Sequence, residues 1–202
     1  MTSPARPPTL SLMKTQNDMA FKEWAIVCQA LEEGKQTIVL RKGGVKEVDG
    51  ELQPEHPEFF LYPTYGAHVA EGIKPDWRPR LHKLDKEAKD TKHVHFRLYA
   101  IVESVHKVTD WEVAKSLIPF TILSDQEMEK EFNAGDQPGL FVFILRVHSL
   151  AVPMEMLRKA AHDKDPIWAP LGTSLFTAGA FQVIPEGAWP YTRDKIRKMV
   201  QA

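Results

Sequence analysis

The run Gly139-Leu-Phe-Val-Phe-Ile-Leu-Arg-Val-His148 constrains this chain more than any other stretch. It lacks the polar alternation of a strand with one wet face, so it predicts a strand covered on both faces. Such a strand needs neighbours in a sheet and packed layers on either side. Four further strand regions are legible. Val94 to Val105 alternates cleanly, with Val94, Phe96, Leu98, Ala100 and Val102 on one side and His95, Arg97, Tyr99 and Ile101 on the other. Glu58 to Tyr62 is apolar on both faces, and Pro63 should stop it. Lys35 to Arg41 carries β-branched Thr37, Ile38 and Val39 in its middle. Phe176 to Ile184, broken by Gly179, supplies a last strand region.

Short helices separate these strands. Asn17 or Asp18 offers an N-cap, and Phe21, Trp24, Cys28 and Leu31 follow at helical spacing up to Gly34. That pattern predicts an amphipathic helix, with Cys28 on its apolar stripe as a core thiol. Leu81 to Ala88 reads as a helix inside a locally basic connection from Lys74 to His95. Thr109-Asp110 offers a cap for Trp111 to Leu117, and Ser124 with Glu127 forms a capping box that opens another helix, closed at Gly135. Met154 to Ala161 reads as a helical turn after Pro153, and Thr192 caps Arg193 to Val200. Helices and strands do not alternate regularly, and no dinucleotide fingerprint or phosphate loop is present. The expected class is α+β, with a bent or closed mixed β-barrel and short peripheral helices.

Residues 1–16 contain Pro4, Pro7 and Pro8 and little periodicity, so a disordered Pro-rich tail is expected before a single α+β domain over residues 17–202. Lys and Arg total 26 against 27 Asp and Glu, so any affinity for nucleic acid must come from a local patch. With one cysteine there is no intramolecular disulfide and no cysteine-rich zinc site. No apolar run spans a bilayer and no signal-peptide pattern opens the chain, so a cytoplasmic protein without membrane contact is expected. No cofactor motif is present.

Gly34 to Gly44 is the richest stretch for chemistry. Arg41 and Lys42 stand at a strand exit beside the amides of Gly43 and Gly44, a setting that suits an anionic group. Arg41 can grip a phosphate or a guanine edge with two parallel hydrogen bonds, or form an ion pair with Glu47 or Glu58. Lys42 offers a point charge to a nucleic-acid backbone. Glu47, His56 and His68 carry donors that suit a metal, although no helical His-x-x-x-His pairing exists. His93 and His95 share a strand face and form a second chelating pair. Thr64 and His68 form a candidate hydroxyl–base pair. Tyr62, Tyr65, Trp77 and Tyr99 lie near the basic connection, where stacking on bases contributes about 1–3 kcal/mol each. Core placement is the competing reading for these aromatics.

Two resemblances follow from the residues. Lys22-Glu23-Trp24-Ala25, Leu40-Arg41-Lys42-Gly43-Gly44, Glu58-Phe-Phe-Leu-Tyr-Pro-Thr64 with His68 after it, and the strand Leu140 to Val147 resemble a bacterial family of unknown function. More remotely, the chain resembles the PUA and ASCH-like superfamily of small β-barrels. ASCH-type domains place a helix before a Gly-x-Lys-Thr-x-Glu-x-Arg strand. Gly34, Thr37 and Arg41 fall in that register here, while Gln36 and Val39 replace the lysine and glutamate. The resemblance implies a module that binds RNA or a modified nucleobase, with no catalysis evident because those two polar positions are lost. The candidate ligand-binding set from the residues and the resemblance together is Thr37, Arg41, Lys42, Gly43, Gly44, Glu47, His56, Thr64, His68 and Arg97, with no metal ligand and no cofactor. The alternatives are a metal-assisted nuclease or nucleoside hydrolase, and a protein-interaction domain with a protein partner.

Overall fold

The computed structural model describes residues 13–66, 69–90 and 92–201. The chain runs β1 (Gln16–Trp24), α1 (Ala25–Glu32), β2 (Ile38–Arg41), β3 (Val45–Val48), β4 (Glu51–Pro54), β5 (Glu58–Thr64), α2 (Val69–Gly72), α3 (Leu81–Ala88) and β6 (His93–Val108). It continues through α4 (Trp111–Ser116), α5 (Asp125–Asn133), β7 (Leu140–Leu157), β8 (Trp168–Phe176), β9 (Phe181–Gln182) and α6 (Trp189–Val200). The class is α+β. One sheet runs in the order β2-β7-β6-β5-β1-β8, with β9 also on β7, while β3 and β4 form a separate hairpin. All pairs in the large sheet are antiparallel except β1 with β5.

The apolar run behaves as its composition requires. Phe143, Leu145 and Val147 enter one core cluster with α1, while Leu140, Val142 and Ile144 enter another beneath α4, α5 and α6. The sheet is bent at two irregularities in β6–β7. One leaves Glu103 unpaired in register, and the other leaves residues 150–153 facing no partner. Bending brings distant strands together around Phe21. Its ring stacks on Phe59 of β5 at 4.9 Å and meets Phe143 of β7 at 5.8 Å and Trp168 of β8 at 5.0 Å. Each such pair contributes about 0.5–1.5 kcal/mol beyond its buried area. Ile167 and Trp168 also press on Gly44, just past β2. The two ends of the sheet order therefore meet through side chains, and no ladder between β2 and β8 joins them among the described residues.

Several local expectations are corrected. Residues 16–24 form a strand, and only Ala25–Glu32 is helical. The strand lies between β5 and β8, so ladder bonds on both sides outweigh the helical spacing of its apolar residues. Asn17 anchors an irregularity there: its Nδ2 donates to the Glu58 carbonyl at 2.7 Å and to Tyr99 Oη at 3.0 Å. Gln16, the last residue of the expected tail, is the first of β1, and residues 1–12 lie outside the described residues. Residues 45–57 contain the β3–β4 hairpin, turned at Asp49 and Gly50 with φ of 53° and 79°. The Asp-Gly pair is the usual signal for that turn. Pro63 and Pro153 do not end their strands. Pro153 falls in the stretch without register partners, where its missing N–H costs no ladder bond. Met154 to Leu157 is accordingly extended, not helical, and β8 covers a region not read as a strand. Asp110 and Ser124 cap α4 and α5 as expected, accepting from Glu112 and Val113 N–H and from Glu127 N–H respectively.

Candidate functional site

Because β1 and β5 run parallel, Trp24 and Thr64 end side by side at one edge of the sheet. Lys42 and the end of β2 reach the same edge through the bend. Across from them stand α5 and the loop at Thr121 to Leu123. Between these walls lies a cleft of about 410 Å³, within the range of roughly 300–1,000 Å³ typical of small-molecule sites.

The floor is a buried ion pair. Glu23 is 4% exposed. Its carboxylate accepts from Arg41 Nη2 at 2.7 Å and from the Trp24 N–H at 2.7 Å. Arg41 also donates to the Leu40 carbonyl at 2.8 Å and the Lys22 carbonyl at 2.9 Å, and lies 5.1 Å above the Phe21 ring. Thr64 Oγ1 donates to the Glu23 carbonyl at 3.1 Å. Arg41 is thus paired with Glu23, and neither Glu47 nor Glu58 takes that role. Most of its fork is engaged within the fold, which limits its capacity to grip a phosphate.

The other cations are similarly tied. Lys42 Nζ donates to the carbonyls of Phe132 and Gln137 at 2.8 and 3.0 Å. Lys22 Nζ donates to the Asp165 carbonyl, and burial lowers its pKa against the pull of Asp163 and Asp165. On the opposite wall α5 turns Glu127 and Glu131, one helical turn apart, toward the cleft. Glu127 is 8% exposed and holds Lys130 Nζ at 3.0 Å. Trp24 forms a side wall, its ring packed on Gly72 of α2 so closely that a Cβ there would lie 2.7 Å from Cη2. Counted around the cleft, three cations (Lys22, Arg41, Lys42) face three carboxylates (Glu23, Glu127, Glu131).

The residues singled out from sequence divide accordingly. Arg41, Lys42 and Thr64 line the cleft, and Gly43 and Gly44 lie at its edge against Ile167. Thr37 is buried on the other side of β2, near Trp189. Gln36, at the lost lysine position, is a staple: Nε2 donates to the Ile38 carbonyl at 2.8 Å and Oε1 accepts from the Ile122 N–H at 2.9 Å. Glu47 is exposed on the β3–β4 hairpin, and His56 packs edge-on to Trp168 at 4.7 Å, with burial lowering its pKa. Arg97 lines a separate cleft beside α1 and α3 with Cys28 and His95. His68 lies outside the described residues. Glu47, His56 and His68 are therefore not shown as one group. Among the described residues no set of three or more His, Cys, Asp or Glu side chains is placed to hold a metal ion. His93 and His95 instead contact the carboxylates of Asp90 and Glu155. Of the four aromatics weighed between a stacking platform and the core, three are in the core and Tyr65 is exposed. Tyr62, Trp77 and Tyr99 are buried, and Trp77 carries Arg80 over its ring at 4.1 Å.

Sequence reasoning missed Lys22, Glu23, Trp24, Glu127 and Glu131. The helical reading of residues 17–34 sent Lys22 and Glu23 to a solvated face. A signal existed in the resemblance itself: its segments around Lys22–Ala25, Leu40–Gly44 and Glu58–Thr64 all end in this cleft.

The fold is similar to the crystal structure of ASCH from Zymomonas mobilis, at 12% identity over 87% of this chain and 93% of that one, with a TM-score of 0.41. It is likewise similar to a serine-to-alanine mutant of that protein, at 12% identity over 88% and 94%, with a TM-score of 0.42. No curated protein matches the sequence. Residues 20–191 match the profile of a domain of unknown function, DUF1802, and the chain belongs to that family.

Proposed function

We propose that the protein is a binding module for a single nucleobase or nucleoside, free or within RNA, and that the Trp24 cleft is its site. The observation that carries this reading is the balance of the cleft. A phosphate cradle presents uncommitted positive charge, whereas here Arg41, Lys42 and Lys22 are each bonded to protein oxygens and opposed by carboxylates. A neutral heterocycle with donor and acceptor edges fits such walls, and an aromatic wall favours a flat ligand. The RNA association rests on the ASCH-like resemblance of the strand Gly34 to Arg41. The single cysteine is what a reducing compartment such as the cytoplasm permits.

The test is calorimetric titration with the common nucleosides, then with short single-stranded and duplex RNA at two salt concentrations. Nucleoside binding with a shallow salt dependence is expected, because few phosphates are neutralised. Duplex binding with a steep salt slope and no nucleoside binding would refute the proposal and return the phosphate backbone as the ligand.

A further inference from the structure

Resting on that reading, we infer that the cleft selects a base bearing an exocyclic amine, through the carboxylates Glu127 and Glu131 of α5. The two walls differ in hydrogen-bonding sense. On the β1–β2 side the Glu23 carboxylate is held by Arg41 and the Trp24 N–H, and the ammonium groups of Lys22 and Lys42 are the donors left to a ligand. An ammonium has three protons, and the bonds of Lys42 to Phe132 and Gln137 and of Lys22 to Asp165 leave each with donor capacity. On the α5 side the groups facing the cleft are carboxylates, which only accept when ionised. Glu127 is nearly buried, so its oxygens have little access to water. Both oxygens accept from the exposed Lys130 Nζ, at 3.0 and 3.3 Å, and each keeps a further lone pair for a donor in the cleft.

Glutamates four residues apart on one helix repel and weaken it. Their placement over a cavity, beside Trp24 and opposite donors, suits a planar ligand that donates from one edge and accepts at the other. Cytosine and guanine have that form, with an exocyclic amine near ring or carbonyl acceptors. Uracil presents a carbonyl where cytosine presents the amine. A carbonyl aimed at Glu127 meets an acceptor with no proton between them.

Matched pairs test this. Cytidine is compared with uridine, and guanosine with inosine, by calorimetry on the full chain and on Glu127→Gln and Glu131→Gln. The expected result is that the amine-bearing member of each pair binds on the order of 10- to 100-fold more tightly, from the cost of an unmatched buried polar group. In Glu127→Gln the side chain also donates, so that preference should shrink to a few-fold or less. Equal binding within both pairs by the wild type would overturn the inference while leaving nucleoside binding intact. Failure of every nucleoside to bind would overturn both. If Glu127→Gln is found unfolded by circular dichroism, the wild-type pairs and Glu131→Gln still decide the matter.

Discussion

Replacing Arg41 by alanine should destabilise the fold before it reveals anything about a ligand. The Glu23 side chain is 5% exposed and that of Arg41 24%. Removing the guanidinium leaves Glu23 with the Trp24 N–H as its one remaining bond among those described, in a site from which water is largely excluded. It also removes donors from the carbonyls of Lys22 and Leu40. Breaking a buried pair in this way costs about 3–5 kcal/mol. The partial exposure of Arg41 admits some water, so about 3 kcal/mol is the better figure. For a chain of this length that is a fall of roughly 6–12 °C in Tm. Glu23→Gln should cost less, about 1–2 kcal/mol, because the remaining Arg41 can reach water and the amide still accepts a bond. The pair Glu23→Gln with Arg41→Ala should recover part of the loss, since no buried charge is then left unpaired. Urea unfolding of the four proteins, fitted as a double-mutant cycle, measures each quantity. A loss under about 1 kcal/mol for Arg41→Ala, with no coupling to Glu23, would refute the argument. The pair would then be a screened surface contact, and Arg41 would be free to serve a ligand.

Three further outcomes are expected. Gly72→Ala places a Cβ 2.7 Å from the Trp24 ring, against a normal carbon contact of roughly 3.5–4.0 Å. It should cost about 1–3 kcal/mol and weaken nucleoside binding by displacing that wall, measured by urea unfolding and calorimetry; unchanged stability would show that α2 yields without strain. Stability should decline as pH falls below about 6.5, where the histidines of an unfolded chain gain protons. Burial lowers the pKa of His56, His106, His148 and His162 in the fold, so the unfolded state binds more protons there; urea midpoints from pH 7.5 to 5 test this, and a rise on acidification would contradict it. Burial, with the Glu23 charge nearby, raises the Cys28 thiol well above its usual range, so alkylation at pH 8 should be much slower in the native protein than in urea; equal rates by mass spectrometry would place the thiol in water.

The strand Leu140–Val147 was legible because an unbroken apolar run admits few solutions, and α4 and α5 because their caps are local hydrogen bonds written by Asp110 and Ser124. Those features depend on residues near one another in sequence, and the sequence by itself determined them. The placement of Arg41 and Lys42 at a strand exit was determined in the same way. Residues 16–24 were not, because their apolar spacing satisfies a helix as well as a strand. The choice came from β5 and β8, which lie far along the chain and supply hydrogen bonds on both sides. The cleft is likewise a tertiary product. Its floor pairs Glu23 with Arg41 across two strands that are not neighbours in the sheet, and its far wall comes from α5, about a hundred residues later. A local pattern records which residues want burial or a cap. Which charge neutralises which, and therefore what the cleft can bind, was decided only when the bent sheet brought β1 and β2 together beside Phe21 and buried the Glu23 carboxylate against Arg41.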